Sequence, residues 1–239
     1  MRRSPGEPLV TFYDQESGER VELSVVTYAN WVAKAAGLLA DEHGLERGQT
    51  LRIDLPTHWM GPVFLGAAWT LGLTVLLEDP AGPDSGETPD AVVCGPDSVE
   101  RWAALSADVP VLACSLLPLG VRFRDPLPEG VHDVGVEVWG QPDAFSPWDP
   151  PTGDDPAVSV AGAPTTQAEM FEAAAAGSLL TDDGRLLTAQ NPTSPSGLAV
   201  FTEPLARAGS VVLVAHPDAL RIEAVAAQER ATSVLVSLP

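Results

Sequence analysis

The chain is 239 residues long, 45% apolar by residue type, with 13 Lys and Arg against 33 Asp and Glu and a formal net charge of -20. That length and apolar content suffice for a globular core of one large or two small domains. The charge repels phosphate backbones and anionic lipid headgroups, so neither nucleic acid nor a membrane surface is expected as a partner. Twelve of the 13 basic residues are Arg, Lys34 being the exception, and with 21 Gly and 23 Pro this points to a high-GC bacterial genome. The N-terminal MRRSPGEPLV lacks an apolar stretch of the secretory kind, and the uncharged run 62–77 is shorter than the roughly 20 residues of a membrane span, so the expected location is the cytoplasm. Cys94 and Cys114 lie in apolar runs and are read as small buried residues of a reduced protein.

In chain order, residues 9–13 and 20–23 flank the polar turn DQESG and predict a β-hairpin. Ser24 is placed to cap a helix in which Tyr28, Val32, Ala35 and Leu39 share one face, and Gly44 ends it. TLRIDL predicts a short strand stopped by Pro56, and residues 58–71 a helix apolar on nearly every side, hence buried between layers. LTVLLEDP is a second buried strand, followed by a Pro-, Gly- and acid-rich loop over 79–90, the strand AVVCG, the helix DSVERWAAL and the strand PVLACS. Apolar strands that do not alternate, separated by helices, predict a parallel α/β sheet covered on both faces.

Residues 125–184 hold 12 acidic residues and no Lys or Arg, with eight prolines, and the part up to 155 predicts more loop than element, with VEVWG as one strand. A strand over 156–162, a helix TTQAEMFEAAAAG capped by Thr165 or Thr166, the strand RLLTAQ, the loop NPTSPSG, the run LAVFTEPLARAG, the strand SVVLVA, a helix over 217–228 and a terminal strand TSVLVS complete a second α/β region. The division expected is a first lobe with the N-terminal hairpin at 1–120, an acidic Pro-rich connector at 121–155 and a second lobe at 156–239, with one continuous domain as the alternative and no repeat of fixed period.

Three pieces carry a resemblance. GLERGQTLRIDLPTHW (44–59), FLGAAWTLGLTVLLEDP (64–80) and LARAGSVVLVAHPD (205–218), with TSVLVS after the last, occur in the order found in the acyl-adenylate-forming enzymes, the acyl-CoA synthetases and peptide-synthetase adenylation domains. The chain resembles the N-terminal domain of that superfamily, which implies a two-lobed α/β fold of mostly parallel sheets flanked by helices. The matching pieces are scaffold in the family. Its chemistry requires a Ser/Thr/Gly-rich phosphate loop ending in Lys after a strand like DDPAVSV, and here AGAPTTQAEMFEAAAA passes from strand to helix with that loop deleted. Where the family carries an aromatic and a His before a Gly, this chain has Thr193 and Ser194, with Gly197 retained. The magnesium and ribose motifs and the mobile domain with its catalytic Lys have no counterpart up to Pro239. Triphosphate binding needs free backbone N–H groups and a cation, so the resemblance implies a relative without adenylation chemistry that binds a small ligand or a protein. The alternative is a divergent AMP-dependent acyl- or amino-acid-activating enzyme completed by a separate chain. ATP, AMP or CoA would be cofactors only there, and otherwise none is expected.

Candidate site residues follow from the rule that open α/β sheets bind ligands at the carboxyl ends of their strands. His216 directly follows SVVLVA, and Ser159, Thr165, Thr166, Ser194, Ser196 and Gly197 lie near the expected crevice. A hydrolase reading would need one of those serines against His216 with an acid such as Asp218 orienting the ring, although capping and loop hydrogen bonds account for the same hydroxyls. No GxSxG elbow and no GxxxxGK or GxGxxG loop is present. His43, His58, His132 and His216 show no HxxxH spacing, so no metal site is expected. His43 reads as a residue favoured at a helix C-terminus and His58 as part of a helix start. Of six tryptophans, Trp31, Trp59, Trp69 and Trp102 read as layer packing, whereas Trp139 and Trp148, in the acidic stretch, are candidates for a partner surface.

Overall fold

The computed structural model describes residues 4–77 and 88–236. The loop expected over 79–90, the end of the strand LTVLLEDP and the last residues of TSVLVS fall wholly or partly outside them.

Strand β1 (Pro8–Asp14) and strand β2 (Arg20–Ser24) form the expected antiparallel hairpin. The Ser24 hydroxyl then accepts the Thr27 N–H and caps helix α1 (Val25–Gly37), which widens into a π-helical turn at Leu38–Glu42 before Gly44. The chain continues through β3 (Thr50–Asp54), α2 (Met60–Leu71), β4 (Thr74–Leu77), β5 (Ala91–Cys94), α3 (Val99–Ala103) and β6 (Val111–Ala113). After β7 (Val131–Asp133) come α4 (Val134–Glu137), β8 (Pro156–Val160), β9 (Ala163–Thr166), α5 (Gln167–Ala176) and β10 (Arg185–Thr188). Helix α6 (Ala199–Ala206), β11 (Ser210–Ala215), α7 (Ala219–Gln228) and β12 (Ser233–Leu235) close the described chain.

VEVWG is helical, not a strand. The Asp133 side chain accepts the Gly135 N–H and starts α4, which a short 3-10 turn extends through Gly140, and the strand at this place is the preceding β7. A local side-chain cap outweighed the β-branched residues that suggested an extended run.

Two sheets result. The five-stranded sheet has the order β12-β10-β11-β1-β2 and the seven-stranded sheet the order β7-β6-β5-β3-β4-β8-β9. Every pairing is parallel except β1–β2 and β8–β9, the two hairpins. The sheets cross the expected lobe boundaries: the N-terminal hairpin joins the C-terminal strands, and β8 and β9 join the strands of residues 50–133. Sequence order groups neighbours along the chain, but β1 pairs with β11, some 200 residues away, along five registered positions.

The layering follows from which faces are apolar. Helix α1 packs on β1, β2 and α2, and α2 packs on β3 and β4, so the pair lies between the sheets. Nine of the twelve α2 residues are buried, as its all-round apolar sequence requires. One continuous core takes in Val10, Phe12, Val211 and Leu213 from one sheet and Leu51, Ile53, Val75 and Val93 from the other. Smaller clusters cover the outer faces, Val92, Cys94 and Val111 against Val99 of α3, and Leu187, Val212 and Val214 against Ile222 and Val225 of α7. Cys94 and Cys114 are free thiols in adjoining segments, buried in different clusters, and burial pushes both up, Cys94 to about 12. Trp59 is buried, while Trp31, Trp69 and Trp102 are partly buried against the cores. Among the described residues no helix is long and apolar enough to cross a membrane.

Candidate functional site

The carboxyl ends of β1, β10 and β11 in one sheet and of β3, β5 and β6 in the other border one cavity of about 370 Å³. Strand β1 contributes Phe12 and Asp14, the hairpin turn Glu19, the β3 exit His58, the β5 exit Asp97 and the β11 exit His216. Hydrogen bonds fix the two rims together: Asn191 Nδ2 donates to the Leu55 carbonyl at 2.7 Å, Thr193 Oγ1 donates to the same carbonyl at 3.3 Å, and Thr57 Oγ1 donates to the Ala189 carbonyl at 3.3 Å.

His58 is the most constrained group in this cavity. Its Nδ1 accepts the Met60 N–H at 3.2 Å, which places the ring proton on Nε2, and that buried nitrogen has no protein partner. Burial pushes the imidazole down to about 3, so it is a neutral donor at any physiological pH. Phe12 meets the ring edge-on at 4.6 Å between centroids. The Glu19 Oε1 is likewise buried without a partner, and burial, then the neighbouring Asp14, push its carboxyl above the ordinary range.

His216 sits at the mouth, 61% exposed in its side chain, in the left-handed backbone region at φ 48°. Its Nδ1 lies 2.7 Å from Asp14 Oδ1, and that hydrogen bond, reinforced by the charges of Asp14 and Glu16, raises the imidazole above its usual value. Burial pushes Asp14 up, but hydrogen bonds from Ser17, His216 and the Glu16 N–H outweigh it and hold the carboxyl low. The acid that orients His216 is therefore Asp14, while Asp218 caps α7 by accepting the Leu220 N–H at 2.9 Å. No serine lines the cavity among the described residues, so the arrangement required for the hydrolase reading is not formed.

The other sequence candidates fall elsewhere. Ser159 is buried in β8, paired with Leu76 of β4. Thr165 and Thr166 lie on the edge strand β9, where Thr166 and Glu169 cap α5 reciprocally. Ser194 and Gly197 build the loop behind the cavity rim. The Ser194 hydroxyl donates to the Asn191 carbonyl and accepts the Gly197 N–H, and a Cβ at Gly197 would lie 2.0 Å from the Asn191 carbonyl oxygen. Trp148 is fully exposed and Trp139 half exposed, the latter meeting Trp31 edge-on at 5.3 Å. Trp148 borders a separate surface groove with Arg47, whose guanidinium is paired with Asp149 and Asp155.

Where the resemblance places the family's phosphate loop, β8 and β9 are joined by a two-residue turn. Ala161 and Gly162 both take positive φ, 50° and 77°, and Val160 pairs with Ala163 directly across the turn. This is the geometry of a type I′ hairpin, in which Gly adopts the left-handed conformation without steric penalty. Such a turn leaves no run of backbone N–H groups around an anion.

No protein-family model matches the chain. A "TIGR03089 family protein" of Mycobacterium tuberculosis (strain ATCC 25618 / H37Rv) is 34% identical over 237 residues, covering 98% of this chain and 94% of the relative. The chain belongs to the TIGR03089 family. Among solved structures, an acyl-CoA synthetase of Brucella canis superposes with a TM-score of 0.80 at 18% identity, over 98% of this chain and 45% of that one. The amide bond synthetase McbA of Marinactinospora thermotolerans gives 0.67 at 22% identity over 96% of this chain and 45% of that one, and the fatty acyl CoA synthetase of Mycobacterium tuberculosis 0.68 at 16% over 95% and 45%. This TIGR03089 family member therefore has the fold of the N-terminal domain of adenylate-forming enzymes and spans less than half the length of those solved structures.

Of the residues lining this cavity, the sequence singled out His216 as a ligand candidate but not His58, Asp14, Glu19 or Asp97. The strand-end rule applied to every strand, and not only to β11, would have found three of them: His58 follows the β3 stop at Pro56, Asp97 follows β5, and Asp14 ends β1.

Proposed function

We propose that the protein binds a small molecule carrying a positively charged nitrogen and a hydrogen-bond acceptor in the inter-sheet cavity, and does not activate carboxylates with ATP. The observation that carries this reading is the cavity's polar inventory. The residues lining it include three carboxylates, Asp14, Glu19 and Asp97, and no Lys or Arg among the described ones. The buried His58 Nε2–H and Glu19 Oε1 are a donor and an acceptor without protein partners. An orphaned buried polar group costs about 1–3 kcal/mol, and a ligand that satisfies it recovers that penalty. An ammonium group suits Glu19, and a carbonyl or hydroxyl oxygen suits the His58 N–H. A triphosphate suits neither, since a site lined by acids repels it. The β8–β9 turn supports the same reading, because it replaces the loop that would cradle phosphates.

The test is a thermal-shift screen of purified protein against ATP, AMP, CoA, acyl-adenylate analogues and a panel of amines and amino alcohols. A cationic ligand at about 100 times its Kd should stabilise the fold by roughly 2.7 kcal/mol, and Glu19→Gln should abolish the shift. Stabilisation by nucleotides, or carboxylate-dependent pyrophosphate exchange above a blank with any fatty, aryl or amino acid, would establish the activating-enzyme alternative instead.

A further inference from the structure

Where the π-helical turn after α1 meets the β7–α4 junction, the fold assembles a cluster that sequence spacing does not show. His43, His132 and Glu137 present one ligand atom each, all within 4.8 Å of one another. The Glu137 carboxylate bridges the two rings, Oε2 lying 2.9 Å from His43 Nε2 and Oε1 3.0 Å from His132 Nδ1, and the rings meet edge-on with centroids 4.4 Å apart. We propose that these three residues form a binding site for one divalent transition-metal ion of the zinc class.

Ligand type, spacing and preorganisation support this. Two imidazoles and one carboxylate are a donor set for Zn2+, Co2+ or Ni2+, whereas Mg2+ and Ca2+ prefer all-oxygen sites. Tetrahedral bonds of about 2.0–2.1 Å separate ligand atoms by roughly 3.4 Å, so small side-chain movements close the trio on an ion. The backbone is held for it. The π-helical turn at the end of α1 has the His43 N–H bonded to the Leu38 carbonyl five residues back, and it delivers His43 with its side chain only 6% exposed. Asp133 caps α4 and accepts the Phe123 N–H at 2.9 Å, fixing the strand-to-helix junction that carries His132 and Glu137. The two segments are clamped to each other by Lys34, whose ammonium donates to the Gln141 carbonyl, and by Gln141 Nε2 donating to Glu42 Oε1 at 3.1 Å. His132, 41% exposed, gives an ion its path from solvent and leaves room for water as a fourth ligand. The ion would staple α1 to residues 131–140.

Chelator-treated full-length protein titrated with Co2+ should show one equivalent bound with a tetrahedral-type visible spectrum, displaced by Zn2+ and unaffected by Mg2+ or Ca2+. His132→Ala and Glu137→Gln should each weaken binding by roughly 100-fold or more, as loss of a direct ligand exceeds the 10–100-fold effect of outer-shell changes. Because a variant could disturb the fold, the unmodified protein gives a parallel readout, in which Co2+ should shift or broaden the ring signals of His43 and His132 and leave those of His58 and His216 unchanged. No binding at millimolar Co2+, equal binding of Ca2+, unchanged affinity in both variants, or perturbation of His216 in place of His43 and His132 would each overturn the proposal.

Discussion

Two consecutive residues of β1, Tyr13 and Asp14, point to opposite faces of the five-stranded sheet and meet opposite kinds of polar surroundings. Under α7, the Tyr13 hydroxyl donates to Glu229, and the same carboxylate accepts from Arg20 Nη2 at 2.8 Å and from Arg185, which also donates to Thr11 Oγ1 at 2.9 Å. Burial pushes the Glu229 carboxyl up, but these hydrogen bonds outweigh it and keep the group ionised. On the other face, Asp14 borders a cavity in which His58 Nε2 and Glu19 Oε1 have no partner. The first cluster pairs Glu229 with Arg20 and Arg185 within the chain, although Arg185 Nε is itself buried without a partner, and holds β1, β2, β10 and α7 together. The second leaves His58 Nε2 and Glu19 Oε1 without protein partners at the cavity, and in the proposed function that difference distinguishes a ligand site from a structural ion cluster on the same strand.

The contrast can be broken first at Glu229. Replacing it with Ala leaves Arg185, 12% exposed in its side chain, buried without its counter-charge. Removing one partner of a buried pair costs about 3–5 kcal/mol, and urea unfolding at pH 7 should show a loss of that order. A loss below about 1 kcal/mol would mean the cluster is no better than an exposed ion pair.

The next effect concerns His58. Its folded value, about 3, lies below the unfolded value of 6.5, so between these the unfolded chain binds a proton that the folded chain does not. Stability therefore rises with pH through this window and is lost as pH falls below 6.5. By pH 5 the loss is roughly 2 kcal/mol, taking 1.36 kcal/mol per unit of pH. His58→Asn, which keeps a polar group but cannot titrate, should flatten the difference in unfolding free energy between pH 7 and pH 5 by that amount. An unchanged slope would mean that water or a ligand group stabilises the charged ring.

The scaffold was legible because local rules and tertiary structure agree there. Ser24 caps α1, the apolar run of α2 lies between the sheets, and GLERGQTLRIDLPTHW with LARAGSVVLVAHPD carried the family fold. The α5 cap at Thr166 was legible too, although the hairpin partner β9 before it was not expected as a strand. What the sequence did not show depends on long-range pairing. Asp14 meets His216 across 202 residues and His43 meets Glu137 across 94, and neither separation leaves a local spacing. For the same reason the β1–β11 pairing, which joins the two ends of the chain, left no local signal.

The smallest effect tests whether Asp14 is structural or belongs to the cavity. The folded value of His216 is raised above 6.5 by Asp14, so the pair's contribution is fully present below pH 6.5 and disappears as pH rises through the raised value. With the His216 side chain 61% exposed, solvent screening limits that contribution to about 0.5 kcal/mol or less. Asp14→Asn should therefore leave unfolding almost unchanged, while the His216 ring titration followed by NMR moves down toward its ordinary value, and added salt reduces the difference between the proteins. The same variant removes one of the three cavity carboxylates, so it should weaken binding of a cationic ligand without weakening the fold. A large loss of stability with unchanged ligand affinity would place Asp14 with Glu229, as a residue that holds the sheet together.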